Sequence, residues 1–364
     1  MQLISNTTGT FFMSVPQQVA EKRVAVVIVN WNGWRDCIEC LDSIFCQSHE
    51  NFHVFVVDNE SHDGSIEHIV SWCDAPKAEP AWRRHEGVSR LSDRPNVGHV
   101  RCRVIEWAAA SLSAPSDDDR LTLIRSGGNL GFAGGCNVGI KAAGLVNFDY
   151  FWFLNADAVV ERQALVELIA RADKDAAIGM VGSTVRYYDA PDVVQAMGGA
   201  QLNRSNGSTR HIGEGARVSE VPADGAAVER DLAYIMGASM LVSQKYIADV
   251  GLMEEDYFLY FEDADWAMRG SGKFSFGYAP RSHVFHKWGA NSHKAMPLFS
   301  SGFFYRNRLR FVARFLPRQL GAAKRVMFEQ MLRHLVRGRW GQARLVGATL
   351  LMARKITNNV TRGG

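Results

Sequence analysis

Six cysteines in 364 residues, at positions 37, 40, 46, 73, 102 and 136, show no framework spacing. A disulfide-stapled secreted domain is therefore excluded, and reduced thiols in a cytosolic protein are the simpler expectation. Cys37 and Cys40 form a C-x-x-C, but it lies inside a predicted helix and no second pair follows, so neither zinc nor redox chemistry is expected there. No apolar run reaches the roughly 20 residues needed to span a bilayer. Met1 to Gln18 lacks the basic start and long apolar segment of a signal peptide, so the sequon Asn6-Thr7-Thr8 carries no expected glycosylation. The dinucleotide G-x-G-x-x-G and the phosphate loop G-x-x-x-x-G-K-[ST] are both missing, which disfavours a nicotinamide dehydrogenase or a P-loop nucleotidase. No nucleic-acid-binding motif, internal repeat or low-complexity tract is present. What remains is a chain with 47% hydrophobic residues and a net charge of +3, enough for one large domain with an appendage.

The most informative stretch is Phe258-Leu259-Tyr260-Phe261-Glu262-Asp263-Ala264-Asp265-Trp266, where three carboxylates occupy four positions after an aromatic run. Like-charge repulsion makes such crowding costly unless a metal, a cationic group or a shared proton offsets it, so it points to chemistry. A solvated first helical turn, with Arg269 four residues after Asp265, is the competing explanation.

Two upstream features weigh against that explanation. Val24 to Val29 is an apolar, β-branched run ending in Asn30-Trp31-Asn32-Gly33, and Phe52 to Val57 repeats the design before Asp58-Asn59-Glu60-Ser61. Helical spacing between them from Ile38 to Phe45 predicts a βαβ unit. Open α/β sheets bind ligands at the carboxyl ends of their strands, where Asp58 would accept hydrogen bonds from a nucleotide's base or ribose. Further on, Asn129-Leu130-Gly131-Phe132-Ala133-Gly134-Gly135-Cys136-Asn137 reads as a glycine-rich turn opening a helix whose free N–H groups face a ligand. Asp157 follows the apolar run Tyr150 to Leu154, where a lone carboxylate can hold a hard divalent cation together with substrate phosphates.

Taken in order, Val-Ile-Val-Asn-Trp-Asn-Gly, Val-Asp-Asn-Glu-Ser-His-Asp-Gly-Ser, Asn-Leu-Gly-Phe-Ala-Gly-Gly-Cys-Asn, Leu-Asn-Ala-Asp and Tyr-Phe-Glu-Asp-Ala-Asp-Trp resemble a family-2 glycosyltransferase of the GT-A fold. More narrowly, the set is similar to the bacterial rhamnosyltransferase-like branch that builds cell-envelope glycans. The resemblance covers about Val24 to Leu316 and implies an α/β fold with a mostly parallel central sheet flanked by helices. It also implies an inverting transfer from a nucleotide diphosphosugar, dTDP-rhamnose favoured, to a hydroxyl of a glycan or lipid-linked acceptor. It assigns the donor to Asn30, Asn32, Asp58, Asn59, Gly131, Phe132, Gly134, Asn137, Asn155 and Asp157, with Asp58 contacting the base. Asn155 stands where the family's Asp-x-Asp often has its first Asp, which weakens the inference of metal dependence. Asp157 and His286 are implied as ligands of a divalent metal, Mg²⁺ or Mn²⁺. Asp263 is implied as the general base, flanked by Glu262 and Asp265, whose charges would raise its proton affinity.

A sugar-nucleotide pyrophosphorylase would want a basic glycine-rich signature near the N-terminus, where this chain has Asn30-Trp31-Asn32-Gly33, and an inactive glycan- or membrane-binding homologue is the other alternative. The expected organisation is a leader at 1–22, a catalytic domain at 23–302 and a basic helical region at 303–364. The catalytic domain divides into a nucleotide half at about 23–154, with an insertion at about 72–121, and an acceptor half at about 155–302. Asp117-Asp118-Asp119 is expected in an exposed loop of that insertion. From Phe303 to Lys355 there are 13 basic residues and the single acid Glu329. Arg306, Arg310 and Arg314 at helical spacing suggest a face that docks on an anionic membrane, with arginines solvated on a packed lid as the alternative. The resulting expectation is a cytoplasmic protein, peripheral on the inner face of the membrane.

Overall fold

The structure, a computed structural model, describes residues 21–74, 88, 99–107, 119–287 and 298–360. The leader to residue 20, Asp117, Asp118 and His293 lie outside the described residues. β1 (Val24–Asn30), α1 (Trp34–Ile44), β2 (Phe52–Asp58) and α2 (Ser65–Asp74) form the expected βαβ unit, β1 and β2 pairing in parallel with Asn30 opposite Asp58. Of the stretch 72–121, Cys102–Glu106 forms β3, an edge strand pairing in parallel with β4 (Leu121–Arg125).

After α3 (Gly131–Ala143) the chain returns to the other side of β1 as β5 (Tyr150–Asn155), again parallel. The chain has by then grown outward from β1 through β2 and β4 and reversed, so the crevice between the ends of β1 and β5 is a topological switch point. β6 (Ala158–Val160), α4 (Ala164–Ala172), β7 (Ile178–Tyr187) and β8 (Ala190–Met197) follow. β9 (Gly199–Asn203) and β10 (Ser208–His211) make a hairpin that forms a three-stranded sheet with β11 (Tyr234–Ile235), reached through α5 (Ala226–Asp231). β12 (Ser239–Ser243), α6 (Gln244–Val250), α7 (Glu262–Gly270) and β13 (Ser275–His286) complete a ten-stranded sheet. Its order is β3-β4-β2-β1-β5-β12-β7-β13-β6, with β8 paired to β7. The fold is thus α/β with a largely parallel central sheet flanked by helices, as the GT-A resemblance implies.

Alternation along β1 explains the layering. Val24, Val26 and Ile28 face a core shared with α1, α2 and α4, whereas Ala25 and Val27 face α3, α6 and α7. Both faces are covered, so the central strands read as continuous apolar runs. Gly139 lets α3 lie against β1, because a Cβ there would collide with Val27. At the C-terminus α8 (Leu298–Phe315), α9 (Leu320–Val336), α10 (Trp340–Leu351) and α11 (Ala353–Val360) form a helical appendage. Its apolar side joins Phe311 and Val312 to Tyr257, Phe261 and Ala267 in and just before α7. Among the described residues no helix is long and apolar enough to cross a membrane.

Candidate active site

A cavity of about 520 Å³ opens beside the switch point, lined among others by Phe132, Asn155, Asp157, Tyr234, Gly237, Glu262, Asp263 and His286. β5 delivers Asn155 at its last residue, and the turn into β6 carries Asp157. His286 ends β13, opposite Ala158 of β6. Its Nδ1 is hydrogen-bonded to Gln195 Oε1 at 3.0 Å, which fixes the ring from behind and turns Nε2 into the cavity. Nε2 lies 3.2 Å from Asp157 Oδ1 and 3.0 Å from Asn155 Nδ2. Asp157 keeps 35% of its side-chain surface open, although its surroundings are otherwise those of the interior. Burial would raise its carboxyl, but the His286 ring and then Lys287 outweigh that and hold it below the usual range.

These residues fit a hard divalent cation. A carboxylate oxygen and an imidazole nitrogen converge, the imidazole is fixed from behind, and the remaining positions are left to water and substrate phosphates, as Mg²⁺ prefers. The described residues hold no group of three or more His, Cys, Asp or Glu that could bind a metal without such help. Behind the pair, Lys287 bonds Asp36 at 2.5 Å and the buried Glu39 at 2.6 Å. Its backbone N–H donates to Asp157 O at 3.2 Å, pinning the turn.

On the other wall, Asp263 sits in the first turn of α7. It accepts from the Ala264 N–H at 2.7 Å and the Gly237 N–H at 3.3 Å, yet burial still pushes its carboxyl up to about 6. Glu262 is 5% exposed, and burial, followed by the Asp263 charge, pushes it well above the normal range. Its Oε2 has no hydrogen-bond partner. The two carboxyls therefore titrate as a pair in which Glu262 holds a proton while Asp263 is the one free to accept. Just before α7 the backbone is strained: Phe258, Tyr260 and Phe261 have φ of 61°, 69° and 73°, in the left-handed region that bulky residues avoid. The side chain of Asn307 on α8 holds this loop, its Nδ2 donating to the carbonyls of Tyr257, Leu259 and Tyr260 at 2.7, 2.8 and 3.0 Å.

Several expectations need correction. Asp265 is fully buried and does not line the cavity: it accepts from Tyr257, Arg269 and Arg314, each at 2.9 Å, and is a structural hub. Arg310 pairs with Asp256, Arg314 with Glu254 at 3.1 Å and with Asp265, and Arg306 donates to Asp256 O at 3.2 Å. The arginines expected to dock on a membrane thus bind the segment that leads into α7 and α7 itself. The first two N–H groups of the glycine-rich turn are already spent, Gly131 N–H on Asn129 Oδ1 at 3.1 Å and Phe132 N–H on Phe258 O at 2.7 Å. Gly131, at φ 70°, is needed because a Cβ would collide with that same carbonyl, and a Cβ at Gly134 would meet Leu130. Asn137 is buried and spent on Met253 and Glu255, leaving Phe132 as the cavity residue of this motif.

The remaining residues expected to bind the donor gather at the ends of β1 and β2. Asn30 Nδ2 donates to Asp58 Oδ2 at 3.0 Å and Ser61 N–H to Asp58 Oδ1 at 2.9 Å, so Asp58 is buried and oriented from both sides. Asn32 Oδ1 accepts from His62 N–H at 2.7 Å, and Asn59 Nδ2 donates to Gly131 O at 2.8 Å. Asn30 Oδ1 and Asn59 Oδ1 are buried without partners, two acceptors idle at the crevice edge. Cys37 and Cys40 are buried in α1, where burial raises both thiols, consistent with packing alone. Gln195 and Asn307 were missed in the sequence, because a lone amide on an unremarkable strand or helix carries no spacing signal.

Residues 106–233 match the family described as Glycosyl transferase family 2. Over that span the chain is similar to family-2 glycosyltransferases. The span contains Asn155 and Asp157 but stops before Asp263 and His286. No curated protein matches the chain. Among solved structures, the mannosyltransferase PcManGT from Pyrobaculum calidifontis, in complex with GDP-Man and Mn²⁺, is 15% identical with a TM-score of 0.47, over 95% of this chain and 77% of its own. S. aureus TarS 1–349 in complex with UDP-GlcNAc is 14% identical with a TM-score of 0.47, over 93% and 89%. Another S. aureus TarS structure is 13% identical with a TM-score of 0.46, and this chain spans 43% of it.

Proposed function

We propose that the protein is an inverting family-2 glycosyltransferase that moves a sugar from a nucleotide diphosphosugar to a hydroxyl of a glycan acceptor. The observation that carries this reading is one cavity with a proton acceptor on one wall, Asp263 with its carboxyl near 6, and the Asp157–His286 pair on another. The acceptor oxygen attacks the anomeric carbon from the face opposite the diphosphate. A carbon–oxygen bond forms there as the bond to the diphosphate breaks, and the hydroxyl proton passes to Asp263. Attack from the opposite face inverts the configuration. Asp157 and His286 would hold a divalent cation, Mg²⁺ or Mn²⁺, whose charge stabilises phosphate oxygens when bound. Asn30, Asn32 and Asp58 orient the nucleotide at the switch point, and Gly237 leaves room for the sugar beside Asp263.

Rhamnose from dTDP-rhamnose is the favoured donor sugar because of the motif set, and a lipid-linked cell-envelope glycan is the favoured acceptor. Peripheral attachment to the anionic inner leaflet has support on a different face from the one expected. Phe328, Leu332 and Val336, four residues apart on α9, and Trp340 opening α10 are exposed at 49%, 43%, 89% and 68%. The same stretch of chain carries Lys324, Arg325, Arg333, Arg337, Arg339 and Arg344 with the single acid Glu329. The test of the donor reading is protection against thermal unfolding by dTDP-, UDP- and GDP-sugars with and without Mg²⁺ or Mn²⁺. Ligand at 100 times its Kd adds about 2.7 kcal/mol. A shift with at least one nucleotide sugar is expected; none with any would refute the reading.

A further inference from the structure

A second, open cavity of about 690 Å³ lies along the β9–β10 hairpin and adjoins the catalytic cavity, with Thr209 and Arg210 lining both. Its chemistry is the opposite of the catalytic cavity's. Arg204, Arg210 and Arg230 stand exposed around it. Among the described residues none of the three has an acidic partner, whereas Arg171, Arg186, Arg269, Arg281, Arg310 and Arg314 all do. Asp231 is the cavity's acid, and its Oδ2 already accepts from Gln201 at 2.9 Å. Three unpaired guanidinium groups on one concave surface repel one another unless an anion neutralises them.

The hairpin is also held in place. Arg308, buried in α8, donates to Asn206 O at the hairpin turn, at 3.3 Å, and Val312 packs under Gly207. Orientation follows from β11, which pairs with β9, packs against α7, the helix that carries Asp263, and places Tyr234 in the lining of the catalytic cavity. The arginine cavity therefore continues the base's side of the catalytic cavity, the side from which an attacking hydroxyl must come.

We propose that this cavity is the acceptor subsite and that the acceptor is an anionic glycan, whose phosphate or carboxylate groups are held by Arg204, Arg210 and Arg230 while its hydroxyl reaches Asp263. The proposal rests on the glycosyltransferase reading for the words acceptor and hydroxyl, but the anion site itself stands on its own geometry.

The test titrates one oligosaccharide in three forms, neutral, bearing a terminal phosphodiester and bearing a uronate, against the full chain without donor. At least one anionic form is expected to bind about tenfold or more tighter than the neutral one, because each charge-assisted bond to a guanidinium adds roughly 1.5–3 kcal/mol. Whichever anionic form wins identifies the group. In R204Q/R230Q, both positions exposed, the preference is expected to fall toward one while the melting temperature stays within a few degrees. Equal affinity for all three forms, or a preference that survives in the double variant, would overturn the proposal. So would displacement of the anionic oligosaccharide by phosphatidylglycerol vesicles, which would make this a lipid headgroup site. Nucleotide-sugar binding measured alongside keeps the two readings apart: its absence refutes the glycosyltransferase and leaves the anion result intact.

Discussion

Asn307 offers the sharpest test of how the site is held. One amide nitrogen with two protons serves three carbonyls of the loop that turns through left-handed Phe258, Tyr260 and Phe261, and its own Oδ1 bonds nothing. At about 1 kcal/mol net per bond, and more where a buried carbonyl is left unsatisfied, Asn307→Leu should cost roughly 2–4 kcal/mol. That is a large part of the 5–15 kcal/mol stability typical of a domain. Asn307→Asp discriminates further. It keeps the shape and the idle oxygen but sets a second oxygen against three carbonyl oxygens, so it should be at least as damaging as the leucine. Because the loop leads directly into Glu262 and Asp263, turnover in the folded fraction should fall along with stability. Urea unfolding followed by circular dichroism, with turnover measured below the transition, reads both quantities. An aspartate variant within about 0.5 kcal/mol of the unmodified protein would show that the amide is not what holds the strained loop.

Three further outcomes are expected. With the Asp263 carboxyl raised from 3.8 to about 6, transfer should rise with an apparent midpoint near pH 6. The folded state binds the extra proton between those values, so this group's contribution to stability should fall as pH rises through the same window; a flat rate from pH 5 to 7.5 would contradict it. Gln195→Leu should weaken Mn²⁺ binding in the presence of a nucleoside diphosphate by about 10- to 100-fold, read by electron paramagnetic resonance, with Gln195→Glu restoring most of it; unchanged affinity would remove Gln195 from the site. Replacing Phe328, Leu332 and Val336 with Ser should release the protein from phosphatidylglycerol vesicles, whereas R306Q/R310Q should lower stability; vesicle binding that survives the serine variant would move the docking face elsewhere.

Much of the frame was legible in the sequence because both central strands are buried on two faces and end in polar turns, a pattern that local physics imposes on the chain itself. Asp263 and its neighbours stood out for a similar reason, since three crowded carboxylates are costly wherever they lie. Their division of labour is also encoded, though it was read too broadly: two positions along a helix rotate a side chain by about 200°, so Asp263 and Asp265 must face opposite ways. The arginine stripe on α8 shows where the signal stops. Periodicity gives the stripe but not what faces it, and Asp256 and Glu254 supply that through contacts 54 and 60 residues away. The glycine-rich motif misled because close helix packing and ligand approach both require a missing Cβ. Sequence alone does not say which backbone neighbour fills the gap, and here it is Phe258.

The account turns on Asp263 as the proton acceptor, and Asp263→Asn tests that claim with two readings from one variant. The amide preserves shape but accepts no proton, so transfer should fall by a factor of about 10² to 10⁴ while nucleotide-sugar affinity changes little. Removing a carboxylate that burial holds at a raised pKa should at the same time raise the unfolding midpoint above pH 6. Loss of transfer with donor affinity retained and stability increased is the predicted result. Near-normal transfer in this variant would contradict the assignment and pass the role to Glu262, the adjacent carboxyl in the lining of the same cavity.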